Sequence, residues 1–192
     1  MSILFPTIKV ISKDLKILSI KNFYNINFLK RRKINKILEK NYKKYRYERV
    51  GFNFELHDED DKFFYNLKRK IIKKTINIFG DMEFNSPQDI SCWCYRSTKS
   101  DHIRVFHNHM NTSIINTVYY YQVNKNDSIS FLDNEGNEFF HNLDCGELLI
   151  FPNNIIHAPD EPQGNKTRYS INIELVPKNM RAEEIFNLRL FN

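Results

Sequence analysis

Apolar residues recur at two different intervals along this chain, and the change of interval divides it near residue 89. In the first half they return every three or four positions. From Asn27 to about Tyr47, Ile34, Ile37 and Leu38 fall at helical spacing among Lys, Arg and Glu, which predicts a cationic surface helix with a narrow apolar stripe. From Asp60 to Phe79, Phe64, Leu67, Ile71 and Ile78 lie along one face with Lys68, Lys70, Lys73 and Lys74 around it, and this is the clearest helix in the chain. Asp58 and Asp60 are candidates to cap its start, and Gly80 stands just past its end, where a left-handed residue stops a helix. Between the helices, "VGFNFELHDEDD" predicts a strand and an acidic turn. Residues 3–10, ILFPTIKV, predict an edge strand, because Pro6 cannot donate to a ladder.

From residue 89 onward, short runs rich in Tyr, Phe, Ile and Val are separated by "NKND", "DNEGN", "DCGE", "PNN" and "PDEPQGNK". Turn compositions at such close intervals argue for an antiparallel barrel or sandwich. The strands fall at about 90–96, 103–109, 114–123, 128–132, 138–141, 147–152 and 167–175, with a short helix near 180–190. With no internal repeat or linker, the expected organisation is one domain over 1–192. Helices and a strand in 1–88 support a β core in 89–177, and 178–192 closes the chain, giving a mainly β, α+β class.

Composition adds limits. At 192 residues, 41% apolar and 14% aromatic, the chain can bury a core without staples. Its net charge of +6 is local, since Lys30 to Arg49 carries ten basic residues against Glu39 and Glu48. Such a run is ordinarily a solvated face, although it leaves open a non-enzymatic basic module for nucleic acid. Cys92, Cys94 and Cys145 lack metal-knuckle or redox spacing and read as reduced. The N-terminus lacks the apolar core of a leader, and no window is apolar enough to span a bilayer, so a cytoplasmic setting without a membrane partner is expected.

The candidate chemistry begins at "HNHMNTS", residues 107–113. In an extended strand Val105, His107 and His109 share one face, with the two histidines roughly 7 Å apart at Cα, a spacing that suits two cis ligands of one metal. Imidazole does not discriminate among iron, zinc, copper and nickel, and a third ligand must come from elsewhere. His157 is the candidate, standing at a strand end after "GELLIFPNNII". Beyond it, "TRYSINIEL" sets Arg168, Ser170, Asn172 and Glu174 on one face and Tyr169, Ile171, Ile173 and Leu175 on the other. Such a strand ordinarily wets its polar face. Facing a barrel interior instead, Arg168 offers a planar fork for a carboxylate and Ser170 a hydroxyl beside it. His57, His102 and His141 read as surface or satisfied residues.

These residues resemble the Fe(II)- and 2-oxoglutarate-dependent oxygenases, in which a double-stranded β-helix carries a His-x-Asp/Glu pair, a distal His and often an Arg-x-Ser. The likeness is closest to a small branch of bacterial and phage hydroxylases. Its pattern is matched by Trp93, His107-Asn108-His109, Tyr119 to Tyr121, Phe151-Pro152 with His157, and Arg168-Tyr169-Ser170, over residues 90–176. The resemblance implies a jelly-roll, cupin-like core that binds Fe(II), 2-oxoglutarate and O2. It would hydroxylate a carbon of a small molecule, amino acid or peptide residue and release succinate and CO2. It implies His107, His109 and His157 as metal ligands and Arg168 with Ser170 at the far carboxylate of 2-oxoglutarate, with no catalytic residue beyond the ligands. Tyr120, which shares parity with Asn116, Val118 and Gln122, is the tyrosine placed to reach the cosubstrate, against a reading of the whole run as cross-strand packing.

The departure is His109, where most of the superfamily has an acid. Either the set is three histidines, or a carboxylate such as Asp133 completes it. A three-histidine set also suits a cupin that needs no 2-oxoglutarate, such as a thiol dioxygenase, and the Arg-x-Ser pair separates the two readings. Nucleic-acid demethylases of the superfamily resemble the chain less, because Glu174 stands where they carry a second arginine. The substrate is expected to be read by loops at about 96–104 and 50–62.

Overall fold

The middle of the molecule is a set of strands apolar on both faces, and each face builds its own core. The computed structural model describes residues 6–45, 53–80, 82–187 and 191. In chain order the elements are β1 (Thr7–Ser12), β2 (Ile17–Lys21), α1 (Phe28–Tyr45), β3 (Asn53–Glu55), α2 (Lys62–Phe79), β4 (Cys92–Ser97), β5 (Ile115–Gln122), β6 (Ser128–Leu132), β7 (Glu138–Asn142), β8 (Glu147–Pro152), β9 (His157–Pro159), β10 (Arg168–Leu175) and α3 (Ala182–Ile185). A seven-stranded antiparallel sheet runs β1-β2-β8-β5-β10-β4-β3, and a three-stranded one runs β7-β6-β9.

Period-2 alternation assigns side chains to the two cores. Tyr119 and Tyr121 of β5, Leu148 and Ile150 of β8, and Ile171 and Ile173 of β10 pack with Ile34 and Leu38 of α1 and with Phe63, Phe64, Leu67 and Ile71 of α2. The opposite face brings Val118 and Tyr120 of β5 and Leu149 and Phe151 of β8 against Ile129 and Phe131 of the small sheet. The polar face of β10 therefore lies inside the molecule, with Arg168, Ser170 and Asn172 all buried. Tyr119 and Tyr121 donate their hydroxyls to the carbonyls of Tyr24 and Arg31, tying the sheet to the helical layer.

Several expectations need correction. The N-terminal strand covers Thr7–Ser12 instead of 3–10, of which 3–5 lie outside the described residues. A second strand, β2, had no forecast at all. Ile17, Leu18, Ser19 and Ile20 are all fully buried, so the segment lacks the alternation that marks a half-wet strand. Residues 103–109 make no strand but a single bridge, His107 to His157. Two of their apolar members, Ile103 and Val105, remain 57% exposed and line a cavity instead of packing on a neighbouring strand. The cap of α2 is Asp61, which accepts from the Phe63 amide at 2.8 Å; Asp60 bonds Asn41, and Asp58 pairs with Lys68. Gly80 closes that helix as expected, with φ 98° and its N–H on the Ile76 carbonyl. The helix expected at 180–190 is one turn, α3, and 188–190 lie outside the described residues, as do 46–52. No helix among the described residues is long and apolar enough to cross a membrane.

Candidate metal centre

Three imidazoles meet at the open end between the sheets. His157 begins β9, while His107 and His109 come from the extended segment that crosses over it, held by reciprocal backbone bonds between His107 and His157 and by His109 N–H to the Asn153 carbonyl. Ring centroids are 4.5 Å apart for His107 and His157, 5.2 Å for His107 and His109, and 5.3 Å for His109 and His157. One ligand atom from each histidine lies within 4.8 Å of the others.

The hydrogen bonds behind these rings fix their tautomers. Nδ1 of His107 faces the Val105 carbonyl at 3.0 Å, Nδ1 of His157 the Ile155 carbonyl at 3.0 Å, and Nδ1 of His109 the Glu174 carboxylate at 2.7 Å. An acceptor opposite Nδ1 requires a proton there, and in the neutral ring that leaves the Nε2 lone pair free, the form that binds a metal. Burial favours the neutral form of two of these rings, His107 and His157. The His157 pKa is pushed down to about 3 by burial and then by its two histidine neighbours, and burial lowers that of His107. Aromatic walls hold the rings in place: Trp93 stacks on His109 at 6.2 Å, and Phe151 meets His157 edge-on at 4.9 Å.

His107 and His157 form one wall of a cavity of ≈ 340 Å³ whose lining also includes Tyr120, Arg168, Ser170 and Asn172. Arg168 is 1% exposed. Its Nε donates to Ser97 Oγ at 3.2 Å and its Nη1 to the Ser128 carbonyl at 3.4 Å, while Nη2 is buried with no partner among the described residues. Burial lowers the Arg168 pKa, opposed chiefly by Asp127. A buried guanidinium N–H without an acceptor is costly, and an anion in the cavity would supply that acceptor. Burial raises the Tyr120 pKa, so its hydroxyl keeps its proton at neutral pH.

Six of the residues singled out in the sequence thus come together: His107, His109 and His157 as one cluster, with Arg168, Ser170 and Tyr120 lining the cavity beside it. Asp133 does not join them. Its carboxylate accepts from the backbone of Glu135 and Asn137 and from Asn137 Nδ2, bonds that fold it into the β6–β7 turn and hold its pKa low. His141 is satisfied by Glu147, and His102 stands 3.4 Å from the Tyr95 hydroxyl. Glu174, behind His109, had no forecast role. Its only signal was shared parity with Arg168, Ser170 and Asn172. The loops expected to read substrate contribute Asn53 and Ile103 to the cavity.

No family model and no curated protein sequence matches the chain. Solved structures do. A prolyl 4-hydroxylase from Phytophthora capsici superposes with TM-score 0.60 at 13% identity, covering 88% of this chain and 61% of that one, so the chain spans less than two thirds of that enzyme. HygX from Streptomyces hygroscopicus, solved with nickel and 2-oxoglutarate, gives 0.59 at 10% identity over 88% of this chain and 85% of that one. Neurospora crassa T7H, in complex with 2-oxoglutarate and 5-formyluracil, gives 0.58 at 12% identity over 86% and 76%. At these identities the likeness is one of fold, and the fold is the mainly β jelly-roll expected from the sequence.

Proposed function

We propose that this protein is an Fe(II)- and 2-oxoglutarate-dependent oxygenase that hydroxylates a carbon of a small molecule, an amino acid or a peptide residue. One observation carries the reading: three imidazoles whose Nδ1 atoms face acceptors converge beside a cavity, lined by two of them, that also holds a buried arginine whose Nη2 has no acceptor among the described residues. A dicarboxylate that chelates a metal at one end and meets a guanidinium at the other satisfies both. The solved structures of similar fold that hold nickel or 2-oxoglutarate support the same choice of ligands.

His107, His109 and His157 would hold the iron. When bound, iron and cosubstrate supply the oxidising chemistry, in which 2-oxoglutarate and O2 are consumed and succinate and CO2 released. The protein's part is orientation. Arg168 takes the far carboxylate through its fork, pre-set by Ser97 and the Ser128 carbonyl. Ser170 and Tyr120 stand as hydroxyl donors beside it, and Val118, Ile129 and Leu143 form the apolar wall that excludes water. Substrate enters past Ile103 and Val105, the exposed apolar residues of the rim, which favour an apolar group over a polyanion. Trp93, Tyr95 and Asn53 line its path.

Purified protein supplied with Fe(II), ascorbate and O2 is expected to turn over 2-oxoglutarate slowly without any substrate. Succinate measured by mass spectrometry should fall at least about 100-fold in His157→Ala, in line with the loss of a metal ligand. Succinate formation equal in the variant and the parent would end the proposal.

A further inference from the structure

Two of the three histidines donate Nδ1–H to neutral backbone carbonyls, and the third does not. His109 meets the Glu174 carboxylate, and at 2.7 Å the contact is shorter than the 3.0 Å of the other two. Both side chains are nearly buried, at 11% and 12% exposure. Thr112 donates its hydroxyl to the same Glu174 oxygen at 3.1 Å, and Trp93 stacks on the His109 ring, so acid and imidazole are each held from a second side. Among the described residues no carboxylate joins the converging ligand atoms, which are three imidazoles alone. A divalent ion there would keep its full charge in a partly desolvated site until an anionic cosubstrate binds, and an anion close behind a ligand would make the site more favourable for it.

We infer that Glu174 is a positioning residue that supplies this anion through His109. The inference rests on the reading of the three histidines as a metal centre. By accepting Nδ1–H, the carboxylate draws the imidazole toward imidazolate, raises the basicity of Nε2 and fixes the ring plane. The charge of a carboxylate ligand is thereby retained one residue removed from the metal. The strand that holds it is β10, with Glu174 on the same face as Arg168, roughly 20 Å along an extended chain. One strand therefore carries the cosubstrate's counter-charge at its start and the metal's counter-charge near its end.

The test uses the full chain, stripped of metal, as wild type, Glu174→Gln and Glu174→Ala. Gln keeps an oxygen to accept from Nδ1 and removes only the charge. Co(II) affinity is read by competition with a chromogenic chelator, and the melting of each metal-free form by circular dichroism. Both variants are expected to bind Co(II) more weakly by on the order of 10- to 100-fold, with Gln melting like the parent. In the anaerobic Fe(II)–2-oxoglutarate complex, Glu174→Gln is expected to move the metal-to-ligand charge-transfer band to shorter wavelength, because a less basic imidazole leaves the iron poorer in electrons. A purely structural role would leave that band where it is. Wild-type affinity and an unmoved band in Glu174→Gln overturn the inference, even if Glu174→Ala is impaired. Failure of the wild type itself to bind Co(II) overturns the metal reading beneath it, and is seen separately.

Discussion

Arg168 and the histidine cluster are polar groups whose unused bonding capacity meets at one cavity, which His107, His157 and Arg168 line, and that shared incompleteness is the residue-scale argument for a ligand. A buried N–H without an acceptor costs about 1–3 kcal/mol, which Arg168 recovers when a carboxylate arrives. Arg168→Ala is therefore expected to weaken 2-oxoglutarate binding by on the order of 100-fold, about 3 kcal/mol, measured by calorimetry on the Co(II)-loaded protein. Arg168→Lys should lose less, since it keeps the charge but not the fork. A change below about threefold in Arg168→Ala would remove the clamp from the account. The histidines and Arg168 stood out in the sequence by residue type and spacing, and the structure brings the three histidines together, although strand parity misdescribed the 103–109 segment. Glu174 did not stand out, because its partner reaches it across 65 residues from a segment that is no strand. Asp133 misled for the opposite reason: an acid in a turn mostly serves the turn.

At the scale of elements, Glu147 is the tie between the sheets. This fully buried carboxylate at the start of β8 accepts from Ser19 at 2.5 Å and Lys21 at 2.8 Å on β2, from His141 Nε2 at 2.7 Å on β7, and from the Asp144 amide at 2.8 Å. Burial alone would raise its pKa, but the bonds to His141, Lys21 and Ser19 outweigh that and bring it down to about 2. The folded value lies below the unfolded one, so the stability it contributes is fully present above about pH 4.5 and is lost as pH falls toward 2. Glu147→Gln is expected to destabilise the fold by about 3 kcal/mol at pH 7 and to flatten the acid limb of the stability profile, as read by denaturant titration between pH 2 and 7. Unchanged stability at pH 7 would show the network to be neutral. Because Glu147 pairs across the sheet with Tyr120, this tie also steadies the cosubstrate end of the cavity. Nothing in the spacing pointed to it: β2 has no alternation to read, and Lys21 and Glu147 are separated by 126 residues. The helices α1 and α2 were legible, since each buries a single stripe of 3.6-residue period against a sheet.

For the molecule as a whole, the expected mainly β core with supporting helices is present, but β1, β2 and β3 from before residue 89 also join the large sheet. Helices lie on one side of a large antiparallel sheet, and a second sheet faces it across a cavity. The basic excess lies on α1, whose Ile34 and Leu38 are buried while most of its lysines stay in water, in keeping with a solvated face. What alternation and spacing did not foretell is that the 103–109 segment joins neither sheet and lines the cavity through Ile103, Val105 and His107. Its residues alternate as a strand does, yet pair at one bridge only. The central claim joins metal and cosubstrate in that cavity, and one measurement addresses it directly: an anaerobic titration of the metal-free protein with Fe(II) and then 2-oxoglutarate, followed by visible absorption. The account predicts a weak charge-transfer band that forms at one equivalent of each and is absent from Arg168→Ala at the same concentrations. Iron binding with no band on addition of 2-oxoglutarate would contradict it, and would leave a three-histidine metal site of another chemistry.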